Sequence, residues 1–100
     1  MPYQLKHFDE VEADVNNAKA WYKEQKEGLE IEFATALEKT INRILETPKV
    51  YSVRYKKVRI AHPRKFPYNI HFYIDEPNNT VVITAILHNK RHPKIAKKRV

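Results

Sequence analysis

The chain has 100 residues, 42% of them hydrophobic, with one glycine and no cysteine, which suits a single compact domain with a modest core and excludes disulfides, thiolate chemistry and a glycine-rich phosphate cradle. Its formal net charge of +7 is unevenly placed: residues 1–48 hold 6 Lys/Arg against 10 Asp/Glu, and residues 49–100 hold 13 against 2. A half that concentrates positive charge while keeping a strong apolar strand pattern predicts a surface for a polyanion, either nucleic acid or an acidic protein, and the competing expectation is a solvated basic face.

In chain order, Tyr3 to Phe8 alternates weakly and reads as a short first strand. Asp9 stands three residues before Glu12, the spacing of an N-cap whose carboxylate takes free helix amides while the glutamate reaches back, so a helix is expected to start there. Val11, Val15, Ala18, Trp21 and Tyr22 share one stripe, which makes Trp21 and Tyr22 core or interface residues, and Gly28 offers the left-handed backbone that ends a helix. Leu29, Phe33, Leu37, Ile41, Ile44 and Leu45 repeat the stripe in a second helix, closed by Thr47-Pro48, so the two form an antiparallel hairpin. From Tyr51 the period changes to two, with Val53 and Tyr55 in one phase and Val58 and Ile60 in the other; the slip at Lys56-Lys57 marks a bulge or a break between strand pieces. Tyr68, Ile70, Phe72 and Ile74 alternate with Asn69, His71, Tyr73 and Asp75, a strand with one face in the core. Glu76-Pro77-Asn78-Asn79 is a turn, and the β-branched run Val81 to Leu87, apolar on both faces, is expected to be the central strand, ended by His88.

The remainder, Asn89 to Val100, carries six Lys/Arg and reads as an exposed basic tail from about residue 90, with room for one helical turn. The layout β-α-α-β-β-β over residues 1–100 is a single α+β domain, with the helical hairpin on one face of a mostly antiparallel sheet and the other face partly open. No apolar run approaches the ~18 residues of a membrane span. The N-terminus lacks a secretory layout, so a cytoplasmic protein with no membrane partner is expected.

Pairing the strands through the Pro77 turn and the His62-Pro63-Arg64-Lys65-Phe66 connection predicts that Arg59, Asn69, His71, Tyr73, Thr84 and His88 share the open side. Lys56, Lys57, Arg64, Lys65 and Arg91 would flank it, and Lys97, Lys98 and Arg99 of the tail would add nucleic-acid-binding charge. Guanidinium, imidazole and phenol together are what RNA cleavage by its own 2′-hydroxyl needs: a proton acceptor, a proton donor and fixed cations for the transition-state charge. His88 leads as acid or base because it stands where the apolar run meets a loop, with His71, Arg59 and Arg91 as further catalytic candidates. His62 and His92 precede prolines and read as turn residues, and His7 is isolated. The histidines lack helical i, i+4 pairing and the basic half has only Asp75 and Glu76 as carboxylates, so neither a metal site nor a cofactor is expected.

The succession Ala20-Trp21-Tyr22, Gly28-Leu29, Phe33 and Leu37, Pro48, Val58-Arg59, Phe66-Pro67-Tyr68 with Ile70 and Tyr73, and His88-Asn89-Lys90-Arg91-His92-Pro93 with Arg99 resembles the RelE/ParE superfamily of bacterial type II toxins, especially its ParE-like branch. The resemblance spans nearly the whole chain. It implies a growth-inhibiting toxin held by a cognate antitoxin, whose binding segment should be acidic and amphipathic. It also implies one of two activities: ribosome-dependent cleavage of messenger RNA, or non-hydrolytic inhibition of DNA gyrase. In the nuclease branch Arg59 matches the strand arginine that holds phosphate, His88 or Arg91 the late-strand acid, base or cation, and Lys56 and Lys57 the preceding lysines. After Tyr73 the chain has no tyrosine, so the C-terminal tyrosine of several nucleases has no match, and His92 is the substitute on offer. A small basic nucleic-acid-binding module without toxicity is the alternative outside the superfamily.

Overall fold

A computed structural model describes residues 3–91 and 93–100; the expectations for His92 lie outside the described residues. Helix α1 runs Glu10–Gln25 and helix α2 runs Leu29–Glu46. The expected capping box is not formed: Asp9 is already helical (φ −58°, ψ −36°) and its side chain makes no capping bond. A helical residue cannot aim its carboxylate back at the first turn, and the carbonyls of Phe8 and Asp9 accept from Val11 and Glu12 instead. Gly28 is left-handed (φ +87°) as expected, but it opens α2, because α1 already stops at Gln25. A Cβ there would meet nothing within 4 Å, so the dihedral alone selects glycine.

Helix α1 buries Val11, Ala18 and Tyr22, while Trp21, one step around the helix, is 55% exposed. Helix α2 buries Phe33, Leu37, Thr40 and Ile44, with the Thr40 hydroxyl satisfied by the Ala36 carbonyl at 2.9 Å. A single 3-10 turn, Pro48–Val50, leads into the sheet.

The sheet has five strands, β1 (Gln4–His7), β2 (Val53–Tyr55), β3 (Val58–Ala61), β4 (Tyr68–Asp75) and β5 (Thr80–His88), in the order β1-β5-β4-β3-β2. Only β1 with β5 is parallel. The Lys56-Lys57 slip is a tight turn, with Lys56 left-handed at φ 48°, so four strands follow the helices where three were expected. Strand β5 is interior, between β1 and β4.

Register sets the faces. Arg59 lies opposite Phe72, Ile60 opposite His71 and Ala61 opposite Ile70. Along β4 and β5, Tyr73 pairs with Val82 and Phe72 with Ile83, but His71 pairs with Ala85. Thr84 is therefore the extra residue of a β-bulge, and every side chain beyond it changes face.

The main core lies between the helices and one sheet face, where Phe33, Ile44, Ile70, Phe72, Val81, Ile83 and Ile86 are packed. The rings of Tyr22, Phe33, Phe66 and Tyr68 meet with centroids 5.0–6.1 Å apart at one end of it. On the opposite face a smaller cluster joins Ala85 and Leu87 to Ala96 of a short helix α3, Pro93–Lys97, with Tyr55 and Ile95 alongside. Residues 93–100 are thus a docked segment rather than an exposed tail, and they cover part of the face expected to be open.

Candidate functional site

The docked segment is held from two directions. The Asp14 carboxylate of α1 receives the Arg99 guanidinium at 2.6 and 3.0 Å, and Arg99 also donates to the Thr84 carbonyl at 3.0 Å. Asp14 accepts, in addition, the amide of Ile86 at 3.0 Å. The last β1–β5 pair is His7 with Ile83, so Thr84 and Ile86 lie where β1 no longer supplies partners; an acid and a base from distant parts of the chain satisfy the edge of the bulge. The pair is well shielded, with side chains 13% and 8% exposed, and the carboxylate holds the Arg99 pKa up despite its desolvation. From the other direction, the ammonium of Lys56 donates to the carbonyls of Val100 (2.7 Å) and Lys97 (3.4 Å). Arg99 and Lys56, both expected to meet nucleic acid, are engaged within the fold.

Beneath this segment Tyr55 and His71 form a hydrogen bond of 2.8 Å between the phenol and Nδ1. Burial, then the Arg99 charge, then His62 lower the His71 pKa to about 4, with Asp14 opposing; burial raises the Tyr55 phenol, with Arg99 opposing. The imidazole is consequently neutral near pH 7 and the pair is a satisfied, buried polar link. Lys57 lies over the Tyr73 ring at 4.2 Å and Lys97 over Tyr55 at 5.7 Å, which places two further basic candidates on aromatic faces of this side. Asn69 shares the side, with its Oδ1 buried and without a partner.

Arg59 and His88 do not join them. Opposite Phe72, Arg59 faces the helix-packed side and donates to the carbonyls of Tyr51 (2.7 Å) and Lys49 (3.2 Å). His88, opposite Tyr68, has crossed to the same side beyond the bulge; it rests edge-on against Tyr68 at 5.3 Å, and its Nδ1 accepts the Lys90 amide at 3.0 Å. The two positions are two strands apart and offset by four residues, on the order of 15 Å between backbones, and each side chain is engaged with its own local partners. The expectation of one open-face constellation is corrected: Asn69, His71 and Tyr73 lie together there, whereas Arg59 and His88 lie separately on the other side. Thr84, at the bulge, is fully buried with its hydroxyl aimed at the His71 carbonyl, 3.4 Å. Arg91 is exposed, its charge partly opposing the burial that raises the Tyr68 phenol.

The remaining basic candidates, Arg64 and Lys65 in the β3–β4 loop, border a groove of 430 Å³ that also receives Lys39 and Arg43 from α2. Sequence reasoning missed the latter two because they belong to the acidic half; their i, i+4 spacing was the available signal. Lys98 is exposed. Among the described residues, no three His, Cys, Asp or Glu gather where they could hold a metal ion, and no helix is long and apolar enough to cross a membrane.

Comparison with known proteins identifies the relatives of this fold. Residues 9–93 match the family model of the ParE toxin of type II toxin–antitoxin systems, parDE. The chain belongs to the ParE toxin family. Among solved structures, the chromosomal ParDE system of P. aeruginosa superposes with a TM-score of 0.73 at 13% identity, over 86% of this chain and 95% of that one. A free-state mutant of the E. coli toxin RelE gives 0.71 at 16% identity over 100% and 99%. The RelBE2 toxin–antitoxin complex of Mycobacterium tuberculosis gives 0.62 at 17% identity over 88% and 99%. No curated relative matches the chain in sequence. These likenesses show the shared α+β fold, and with the family match they make this ParE-family chain a toxin of a type II toxin–antitoxin system.

Proposed function

We propose that this toxin acts by binding rather than by cutting RNA, as a non-hydrolytic inhibitor of DNA gyrase in the cytoplasm, and that a cognate antitoxin with an acidic, amphipathic segment neutralises it. The observation that carries the reading is the change of face at Thr84: it parts His88 from His71, while Arg59 is bound to backbone carbonyls. General acid–base catalysis needs its groups within hydrogen-bond reach of one reacting centre. The buried neutral His71 and the separated Arg59 and His88 offer no such centre in this conformation. Inhibition by binding needs only a stable surface, and Arg91 and Lys98 supply exposed charge for a nucleic-acid-containing target. Support for the antitoxin comes from an apolar trough of 430 Å³ between β1, α1 and α2, lined by Leu5, Val15, Ile41 and Leu45 among others, on which an amphipathic segment could place its anchors.

Purified protein should inhibit supercoiling by gyrase and leave ribosome-bound messenger RNA intact. Ribosome-dependent cleavage would overturn this reading, and its loss in His88→Ala, Arg59→Ala, Arg91→Ala or His71→Ala would restore that residue as a nuclease residue. For the antitoxin, co-expression of the product of the adjacent reading frame should restore growth; arrest unchanged by that product would remove it from the proposal.

A further inference from the structure

Trp21 is the chain's only tryptophan, and the hairpin core closes without it, leaving the ring 55% exposed. It meets Tyr22 edge-on with centroids 5.1 Å apart; Tyr22 in turn touches Phe66 at 5.0 Å and Tyr68 at 6.1 Å, and His88 rests against Tyr68 at 5.3 Å. The indole is thus the solvent-facing end of a chain of rings whose other members are buried or half-buried. The same rings bring two basic stretches together. Arg64 and Lys65 immediately precede Phe66, Lys90 and Arg91 follow His88 closely, and the Asn89 amide donates to the Pro67 carbonyl at 2.8 Å, which ties the stretches side by side at one end of the sheet. All four cations are exposed, and among the described residues none forms an ion pair, whereas Lys49 is paired with Glu76 and Arg99 with Asp14. Glu32 is the one carboxylate on the groove that Arg64 and Lys65 border. Like charges gathered at one end of a small domain repel one another, and an anionic occupant relieves the repulsion.

We propose that this end of the molecule binds single-stranded nucleic acid, with an unpaired base stacked on Trp21 and the flanking phosphates on Arg64, Lys65, Lys90 and Arg91. Such a site needs a ring with an open face and cations along the path of the backbone, and both are present. A duplex keeps its base faces covered, so it engages the cations and leaves the indole idle. A protein partner calls for a tryptophan set in an apolar surround, whereas the exposed residues one turn from Trp21 on α1 are Asn17, Glu24 and Gln25. Under the gyrase reading the occupant is DNA unpaired within the target complex, and the inference rests on that reading for this point alone.

Because Trp21 is the sole tryptophan, its own fluorescence reports the stacking. The full chain is titrated with an oligothymidylate of about 12 nucleotides, with a duplex of the same length and with the matching RNA strand, and affinities are read in parallel from the anisotropy of labelled strands. The single strand should quench the indole and bind with a steep salt dependence. Trp21→Ala should bind it roughly tenfold more weakly and Trp21→Phe nearly as well as wild type; Arg64→Glu/Arg91→Glu should lose at least tenfold, while Lys6→Glu on β1 keeps it. All the substituted side chains are exposed, so circular dichroism should show the variants folded. A bound strand that leaves the indole unquenched, Trp21→Ala binding as tightly as wild type, or a duplex that outcompetes the single strand would each overturn the site. Supercoiling inhibition without binding of the strand would sink the site and keep the gyrase reading. Quenching by the strand without inhibition, or RNA bound more than tenfold tighter than DNA, would keep the site and sink that reading.

Discussion

The cations around residues 93–100 and those around the α2 groove carry the same charge and are used in opposite ways. Arg99 closes on Asp14 and Thr84, Lys56 on Lys97 and Val100, and Lys57 on the Tyr73 ring, so that region turns charge into cohesion. Among the described residues, Lys39, Arg43, Arg64 and Lys65 meet no such partners and leave their charge to solvent. Net charge is therefore a poor guide to where a basic protein meets a polyanion; partner geometry decides which cations are available.

Substitutions should separate the two regions sharply. The largest effect is expected from Asp14→Ala, which strands a shielded Arg99 and the Ile86 amide together: a loss of about 3–5 kcal/mol in chemical denaturation. A loss below ~1 kcal/mol would show that the bulge edge is not held by this pair.

Next comes the pH dependence of His71, which faces Tyr55, Arg99, Asp14 and His62. Its folded pKa, about 4, lies below the unfolded value of 6.5. Its contribution is therefore complete above pH ~6.5, falls as pH drops toward ~4, and amounts to about 3 kcal/mol. His71→Gln should flatten denaturation midpoints across that window relative to wild type; an unchanged slope would mean the imidazole is not held neutral.

Arg59→Ala should cost about 2 kcal/mol by removing charged donors from two carbonyls. Arg64→Gln combined with Lys39→Gln should change stability by less than ~0.5 kcal/mol. A larger destabilisation would place the groove cations in the structural class as well and erase the contrast.

Much of the fold was legible in the residues. The helical stripes, the period-two runs, the Pro77 turn and the left-handed Gly28 depend on neighbours within a few positions, and they stand as read. Trp21 shows the limit of a stripe: a residue at its margin can face the core or solvent, and the neighbouring Tyr22 took the core. The candidate site was less legible, since each of its residues was named by type while its face depended on register. The β3–β4 pairing put Arg59 opposite Phe72, and the bulge sent His88 across. The docking of residues 93–100 was also hidden, because Ala96 and Arg99 look solvated until Ala85, Leu87 and Asp14 come near.

The amino-acid order by itself determined the kinds of elements, their succession and the sign of charge in each half, because propensity, periodicity and turn chemistry are local. Only the tertiary structure decided which face each strand residue occupies. Alternation fixes phase relative to a neighbour alone, so one extra residue at Thr84 inverts everything after it. The groups that meet the chain around that residue come from far away: Asp14 lies 72 positions from the Ile86 amide it accepts and 85 from the Arg99 that binds both it and the Thr84 carbonyl.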